Sequence, residues 1–128
     1  MPTRLPSVVS PSRIAASLTE LWSPRVIAEL DESYVKVAKV HGVFGWHAHA
    51  DEDELFYILD GSLVIELEHA PAVTLNAGDA FVVPKGIRHN PVAERSCTLM
   101  LIERKSTLHA GGEANAHTRS VAEQLRAV

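Results

Sequence analysis

One cysteine, Cys97, stands alone in 128 residues, so no disulfide can form within the chain. A reducing compartment follows as the simple expectation. Within the apolar run "CTLMLIE" the thiol reads as a buried structural group rather than a nucleophile. No apolar stretch approaches the roughly 20 residues of a membrane span. The opening "MPTRLPSVVSPSRIAAS" also has no apolar core of signal-peptide length. A soluble, cytoplasmic protein without a membrane partner is expected. Lys and Arg number 12 against 16 Asp and Glu, for a net charge of −4, and they are scattered. That excludes the clustered basic face of a nucleic-acid-binding surface. Nothing resembles the alternation of strands and long helices that a βαβ fold requires, and there is no internal repeat.

What is present is ordinary globular composition, 46% hydrophobic and 22% charged, at a length that suits one domain with its own core. A first helix is predicted over "SPSRIAASLTELWSP", with Ser10 as cap, Pro11 at the first position and Ile14, Leu18 and Leu21 on one face. A second is predicted over "SVAEQLRAV", where Ser120 and Glu123 have capping-box spacing and Val121, Leu125 and Val128 share a face. Between them the chain reads as strands: "RVIAEL", "YVKVAKVHG", "LFYILDGSLVIEL", "AVTL", "AFVVP", "IRHNPVA" and "CTLMLIE". Asp60-Gly61 suits a two-residue hairpin turn, and "NAGD" a second turn. "HAGGEANAHT" (109–118) reads as a polar loop. The pattern predicts an all-β sandwich or barrel. Residues 1–33 supply the N-terminal helix and first strand, 34–105 the barrel, and 106–128 the C-terminal loop and helix.

Two stretches carry chemistry. In "WHAHADEDELFYILDG", strand alternation puts His47 and His49 on one side and Trp46 and Ala48 on the other. If Glu54 opens the next strand facing inward, Phe56 and Ile58 share its face, and Leu55, Tyr57 and Leu59 cover the opposite one. In "GDAFVVPKGIRHNP", a strand and a turn at Pro84-Lys85-Gly86 can return His89 over the same interior. Three imidazoles and one carboxylate suit a divalent first-row transition metal.

The spacing H-x-H-x4-E-x6-G runs from His47 through His49 and Glu54 to Gly61, and G-x5-P-x-G-x2-H from Gly78 through Pro84 and Gly86 to His89. Together they resemble the two signature motifs of the cupin superfamily over about residues 34–103. The resemblance implies a double-stranded β-helix (jelly-roll) barrel. It also implies that His47, His49, Glu54 and His89 ligate iron, manganese, nickel, zinc or copper. The chain departs from the pattern at His41, where the family usually has glycine, and at Ala93, where it often has asparagine. Both motif stretches look like a branch of small single-domain cupins often labelled mannose-6-phosphate-isomerase-like.

Each residue also has a plainer reading. A His-x-His pair is commonly surface decoration. Asp51, Glu52 and Asp53 form either a solvated turn or an acidic lip that attracts metal. Trp46 belongs on the exterior or at an interface, and Tyr57 is packing. His41, Phe56 and Ile58 are candidates for lining a substrate pocket, while His69, His109 and His117 read as solvent-exposed. Lys36, Lys39 and Arg88 stand either in solvent or at an opening, which the sheet register decides.

The expected function is a metal-dependent enzyme, of oxygenase or isomerase type, acting on a small polar organic molecule, with no separate catalytic acid or base identified. The alternative is a non-catalytic module that binds a small ligand or metal. A metal-free epimerase is disfavoured by the complete set of four ligands. Surplus apolar strand surface at Leu55, Tyr57, Leu59 and Trp46 predicts a homodimer.

Overall fold

The computed structural model of the protein describes residues 5–112 and 115–127. The described residues form an antiparallel jelly-roll β-barrel with two short helices. The strands are β1 (Arg25–Leu30), β2 (Ser33–Val43), β3 (Glu54–Asp60), β4 (Ser62–Leu67), β5 (Ala70–Asn76), β6 (Ala80–Val83) and β7 (His89–Arg104); the helices are α1 (Pro11–Ser17) and α2 (Val121–Gln124). The strands run in the order β1-β2-β7-β3-β6, with β4 joined to both β5 and β7.

The organising element is β7. Two separate strands were expected across its 16 residues, "IRHNPVA" and "CTLMLIE"; they form one. Along one edge β7 pairs with β2 from Ser33↔Arg104 to Val43↔Val92. Along the other it pairs first with β4, through Leu67↔His89, and then with β3, through Glu54↔Glu103. The Asp60-Gly61 hairpin is therefore corrected. β3 and β4 do not pair with each other; they follow β7 as one bent path, and Gly61 is the bend. Gly61 has φ +82°, and an added Cβ would stand 3.0 Å from the Ser96 carbonyl oxygen and 3.3 Å from the Cys97 Cα. Glycine is needed here because two backbones approach closely, not because a chain reverses. The reversals lie elsewhere. Asp31-Glu32 joins β1 to β2 with Asp31 at φ +50°, and Glu68-His69 joins β4 to β5 with His69 at φ +63°. At the expected turn over Asn76–Asp79, the Asn76 N–H donates to Asp79 Oδ2 at 2.8 Å.

Inward residues of β2, β3, β4 and β7 form the core: Ala38, Val40, Phe56, Ile58, Leu63, Ile65, Cys97, Leu99 and Leu101, joined by Trp22 and Phe44. Removing each large side chain from water contributes about 1.5–3 kcal/mol. Burial pushes the Cys97 thiol up to about 11, with Asp60 adding to the effect, so it stays an inert thiol.

α1 ends seven residues before the expected stop. Two cores compete for this segment. Ala15 and Leu18 pack on Val37 outside the barrel, whereas Trp22 turns inward at φ +55° to join the main core. Continuous helical geometry cannot reach both. Lys39 is settled on the outer face, donating to the Ala16 carbonyl at 3.1 Å. α2 has the expected capping box, but its buried side chain is Gln124, and Leu125 is 49% exposed. Val128 lies outside the described residues. Among the described residues no helix is long and apolar enough to cross a membrane.

Candidate metal centre

His47 and His89 face each other across an isolated antiparallel bridge. The His47 N–H donates to the His89 carbonyl at 3.0 Å, and the His89 N–H returns to the His47 carbonyl at 2.8 Å. The Gly86 N–H holds the His49 carbonyl at 2.8 Å, and the Lys85 N–H donates to Asp53 Oδ1 at 2.9 Å. This lacing fixes the loop between β2 and β3 against the turn that precedes β7, and so brings residues 40 apart in sequence onto one interior. Asp53 is exposed but serves as a tie, so the acidic turn is not only solvated decoration.

His47, His49, Glu54 and His89 are all buried, and one donor atom from each lies within 4.8 Å of the others. Glu54 Oε1 is 3.5 Å from His49 Nε2 and 3.4 Å from His89 Nε2. These are long for hydrogen bonds. They do match the separation of neighbouring donors that each stand about 2.0–2.2 Å from a shared ion. His49 Nε2, His89 Nε2 and Glu54 Oε1 are buried without a hydrogen-bond partner among the described residues. Buried polar atoms rarely go unpaired, and a cation at their centre would satisfy all three.

The tautomers fit as well. His47 Nδ1 lies 3.0 Å from the Gly45 carbonyl, and His89 Nδ1 lies 3.0 Å from the Ile87 carbonyl. A carbonyl only accepts, so both Nδ1 atoms carry the proton and both Nε2 lone pairs point inward. Gly45 is held in turn by Asn90 Oδ1 at 2.8 Å, while Asn90 donates to Glu66 at 2.7 Å. Burial, with neighbouring His89, lowers His47 to about 4, so its ring is neutral at pH 7.

Behind the ligands lies a second buried array. Glu103 sits directly across the β3–β7 ladder from Glu54, and Lys36 Nζ is 2.7 Å from Glu103 Oε1. All three face the interior. Burial alone would raise Glu54, but the neighbouring Glu103 carboxyl and the imidazoles of His49 and His89 outweigh it and hold the carboxylate well below its usual range. Glu103 is pushed the other way, by burial and by the charge of Glu54, with Lys36 opposing. The opposite shifts make Glu103 the carboxyl of the pair on which a proton is favoured, and Glu54 the one that stays ionised.

A cavity of about 40 Å³ adjoins the donors, lined by Trp22, Phe44, Phe56, Leu99, Leu101 and His109, with His47 and Glu54 at its polar end. That is room for about three water-sized groups. Of the three expected pocket residues, Phe56 lines this cavity. Ile58 lies in the core outside the cavity wall, and His41 is exposed, so the structure does not put either of them on the wall. His109 and His117 are corrected in the opposite direction. The segment after β7 folds back over the barrel, placing their rings 5.0 and 5.9 Å from that of Phe44. Residues 113 and 114 of the expected polar loop lie outside the described residues. His69 is exposed, as expected, and Trp46 is 41% exposed with parity opposite to the histidines.

Sequence reasoning left Lys36 undecided and missed Glu103 and Phe44. In "CTLMLIE" both faces of the strand are apolar, so alternation does not reveal which way Glu103 points.

Comparison with known proteins agrees with this architecture. A family model described as "Cupin domain" matches residues 33–103. The chain is 32% identical over 92 residues to the uncharacterized protein YdbB of Bacillus subtilis (strain 168), covering 72% of this chain and 81% of that one. Among solved structures it resembles a cupin-2 domain containing protein from Shewanella frigidimarina at 41% identity and TM-score 0.73, covering 77% of this chain and 95% of the other. It also resembles protein NMB1881 from Neisseria meningitidis at 27% identity and TM-score 0.71, covering 77% and 100%.

Proposed function

Because this chain belongs to the cupin domain family, we propose that His47, His49, Glu54 and His89 bind a divalent first-row transition metal and that the protein is a metal-dependent enzyme acting on a small organic molecule. The observation that carries this reading is the convergence of four buried donors with three unpartnered atoms at their centre. When bound, such an ion supplies Lewis acidity or oxygen activation. The chain's own residues do the rest. Gly45 and Ile87 carbonyls fix the imidazole tautomers, Glu103 holds Glu54, and the apolar side chains exclude water from the cavity.

The lining bears on reaction type. Trp22, Phe44, Phe56, Leu99 and Leu101 offer a sugar few hydrogen-bond partners, so we favour oxygenation of a compact, partly apolar molecule over aldose–ketose isomerisation and over the mannose-6-phosphate-isomerase-like label. The small cavity volume gives the non-catalytic metal- or ligand-binding module its standing as a second reading. We place the protein in the cytoplasm from its lone buried cysteine. We also propose a homodimer: α1 covers Leu59, but Leu55 and Tyr57 stay half-buried beside exposed Val82 on the same outer face. A 13.9 kDa particle by light scattering would refute the dimer.

The test is elemental analysis of natively purified protein, followed by screens for oxygen uptake and for keto–aldose interconversion. About one metal per chain in the wild type and almost none in His89→Ala is expected, with oxygen consumption on a small organic substrate. A folded wild type that takes up no added metal overturns the proposal. A metal-loaded protein without turnover selects the binding module.

A further inference from the structure

His109 stands on the wall between two cavities. One is the 40 Å³ space beside the proposed ligands. The other is a space of about 200 Å³ under the segment that follows β7, lined by Leu108, Thr118, Arg119, Ser120 and Val121 among others. The ring meets Phe44 in a tilted contact, centroids 5.0 Å apart, and Phe44 in turn meets the ring of His47 at 4.9 Å. The segment itself is tied down, because the Asn115 side chain donates to the Phe44 carbonyl at 3.2 Å and Gly111 lies directly against the Ala48 backbone.

The Arg119 N–H donates to His109 Nδ1 at 2.8 Å. An imidazole nitrogen that accepts has no proton, so the neutral ring carries its hydrogen on Nε2. The two ring nitrogens direct their bonds away from each other. Nδ1 is turned toward Arg119, which lines the outer cavity, so Nε2–H points away from it. The inner cavity that the ring also lines has mostly apolar walls and offers that donor few protein acceptors.

Resting on the metal reading above, we infer that His109 is a substrate-binding residue, donating its Nε2–H to an oxygen of a compact carboxylate whose short apolar part fills the inner cavity. A carboxylate no larger than acetate suits a cavity with room for about three water-sized groups. The far end of the cavity is bounded by His47 and Glu54, two of the residues that would hold the metal. One aromatic ring, Phe44, meets both His109 and His47, at 5.0 and 4.9 Å between centroids, so both histidines border the same small cavity.

The experiment uses cobalt-loaded full-length protein with acetate as probe. Metal content and thermal melting of wild type, His109→Gln and His109→Phe are measured first. A wild type without cobalt refutes the metal reading and this inference with it. With cobalt bound, acetate is titrated by the visible cobalt spectrum, and ¹⁵N-histidine spectra follow the His109 ring. Acetate should bind the wild type and shift His109 Nε2. Gln, which can accept from Arg119 and donate inward, should keep the dissociation constant within about threefold. Phe should raise it about tenfold or more, as expected for losing a hydrogen bond to a charged group. Equal affinity in wild type and His109→Phe, an unshifted Nε2, or no acetate binding to the cobalt protein overturns the inference while leaving the metal reading standing.

Discussion

Replacing Glu103 by leucine tests the buried array that holds Glu54. Lys36 and Glu103 have side chains 2% and 3% exposed and are 2.7 Å apart. Removing one member of a buried pair typically costs 3–5 kcal/mol, because the other is left charged in a poor solvent. For a chain of this length each kcal/mol shifts the melting temperature by about 4 °C, so Glu103→Leu should lower it by about 10–20 °C. Lys36→Met should cost less, about 1–3 kcal/mol. Burial and the charge of Glu54 favour a proton on Glu103 and Lys36 opposes it, so losing Lys36 shifts Glu103 further toward its neutral form. The double variant should be more stable than Glu103→Leu alone, since two apolar side chains replace the pair and the Lys36 ammonium is no longer left without Glu103. Urea unfolding of the four metal-free proteins measures the cycle, with a coupling of at least about 2 kcal/mol expected. Additive costs, or a Glu103→Leu penalty below about 1 kcal/mol, would refute the reasoning.

Other expectations follow from single positions. Burial lowers His109 from 6.5 to about 4, so the fold prefers its neutral form. The metal-free protein should hold that stability above pH 6.5 and lose it as pH falls toward 4, by up to about 3 kcal/mol. His109→Gln should flatten this part of the pH–stability curve, and an unchanged slope in urea unfolding from pH 7 to 4 would contradict it. Gly61→Ala should cost about 1–3 kcal/mol by differential scanning calorimetry, from positive φ and the approach to Ser96 and Cys97; a neutral effect would refute the close backbone approach at this bend. Gly111→Ala drives a methyl group into the Ala48 carbonyl, so limited proteolysis should cut the segment after β7 sooner than in wild type. Equal cleavage rates would show that the segment is not held there.

Local chemistry determined much in advance. Short apolar runs broken by glycine, proline, asparagine and aspartate specify antiparallel β structure, and period-two alternation alone puts His47 with His49 and Glu54 with Phe56 and Ile58. Ser120 and Glu123 formed their capping box because that motif needs only three residues of reach. Gly61, however, was misread, since Asp-Gly suits a tight turn and a crowded bend equally well, and only β7 lying against it distinguishes them.

Long-range pairing decided the rest. Lys36, Glu54 and Glu103 became one array because β2 and β3 flank opposite edges of β7, a neighbourhood no local window contains. His109 gained its place over the cavity when the segment after β7 doubled back onto Phe44 and Ala48. Side-chain parity is a property of the strand itself and so is written in the sequence. Which strands become neighbours, and what closes the barrel, depends on contacts between residues tens of positions apart, and these exist only once the chain has folded.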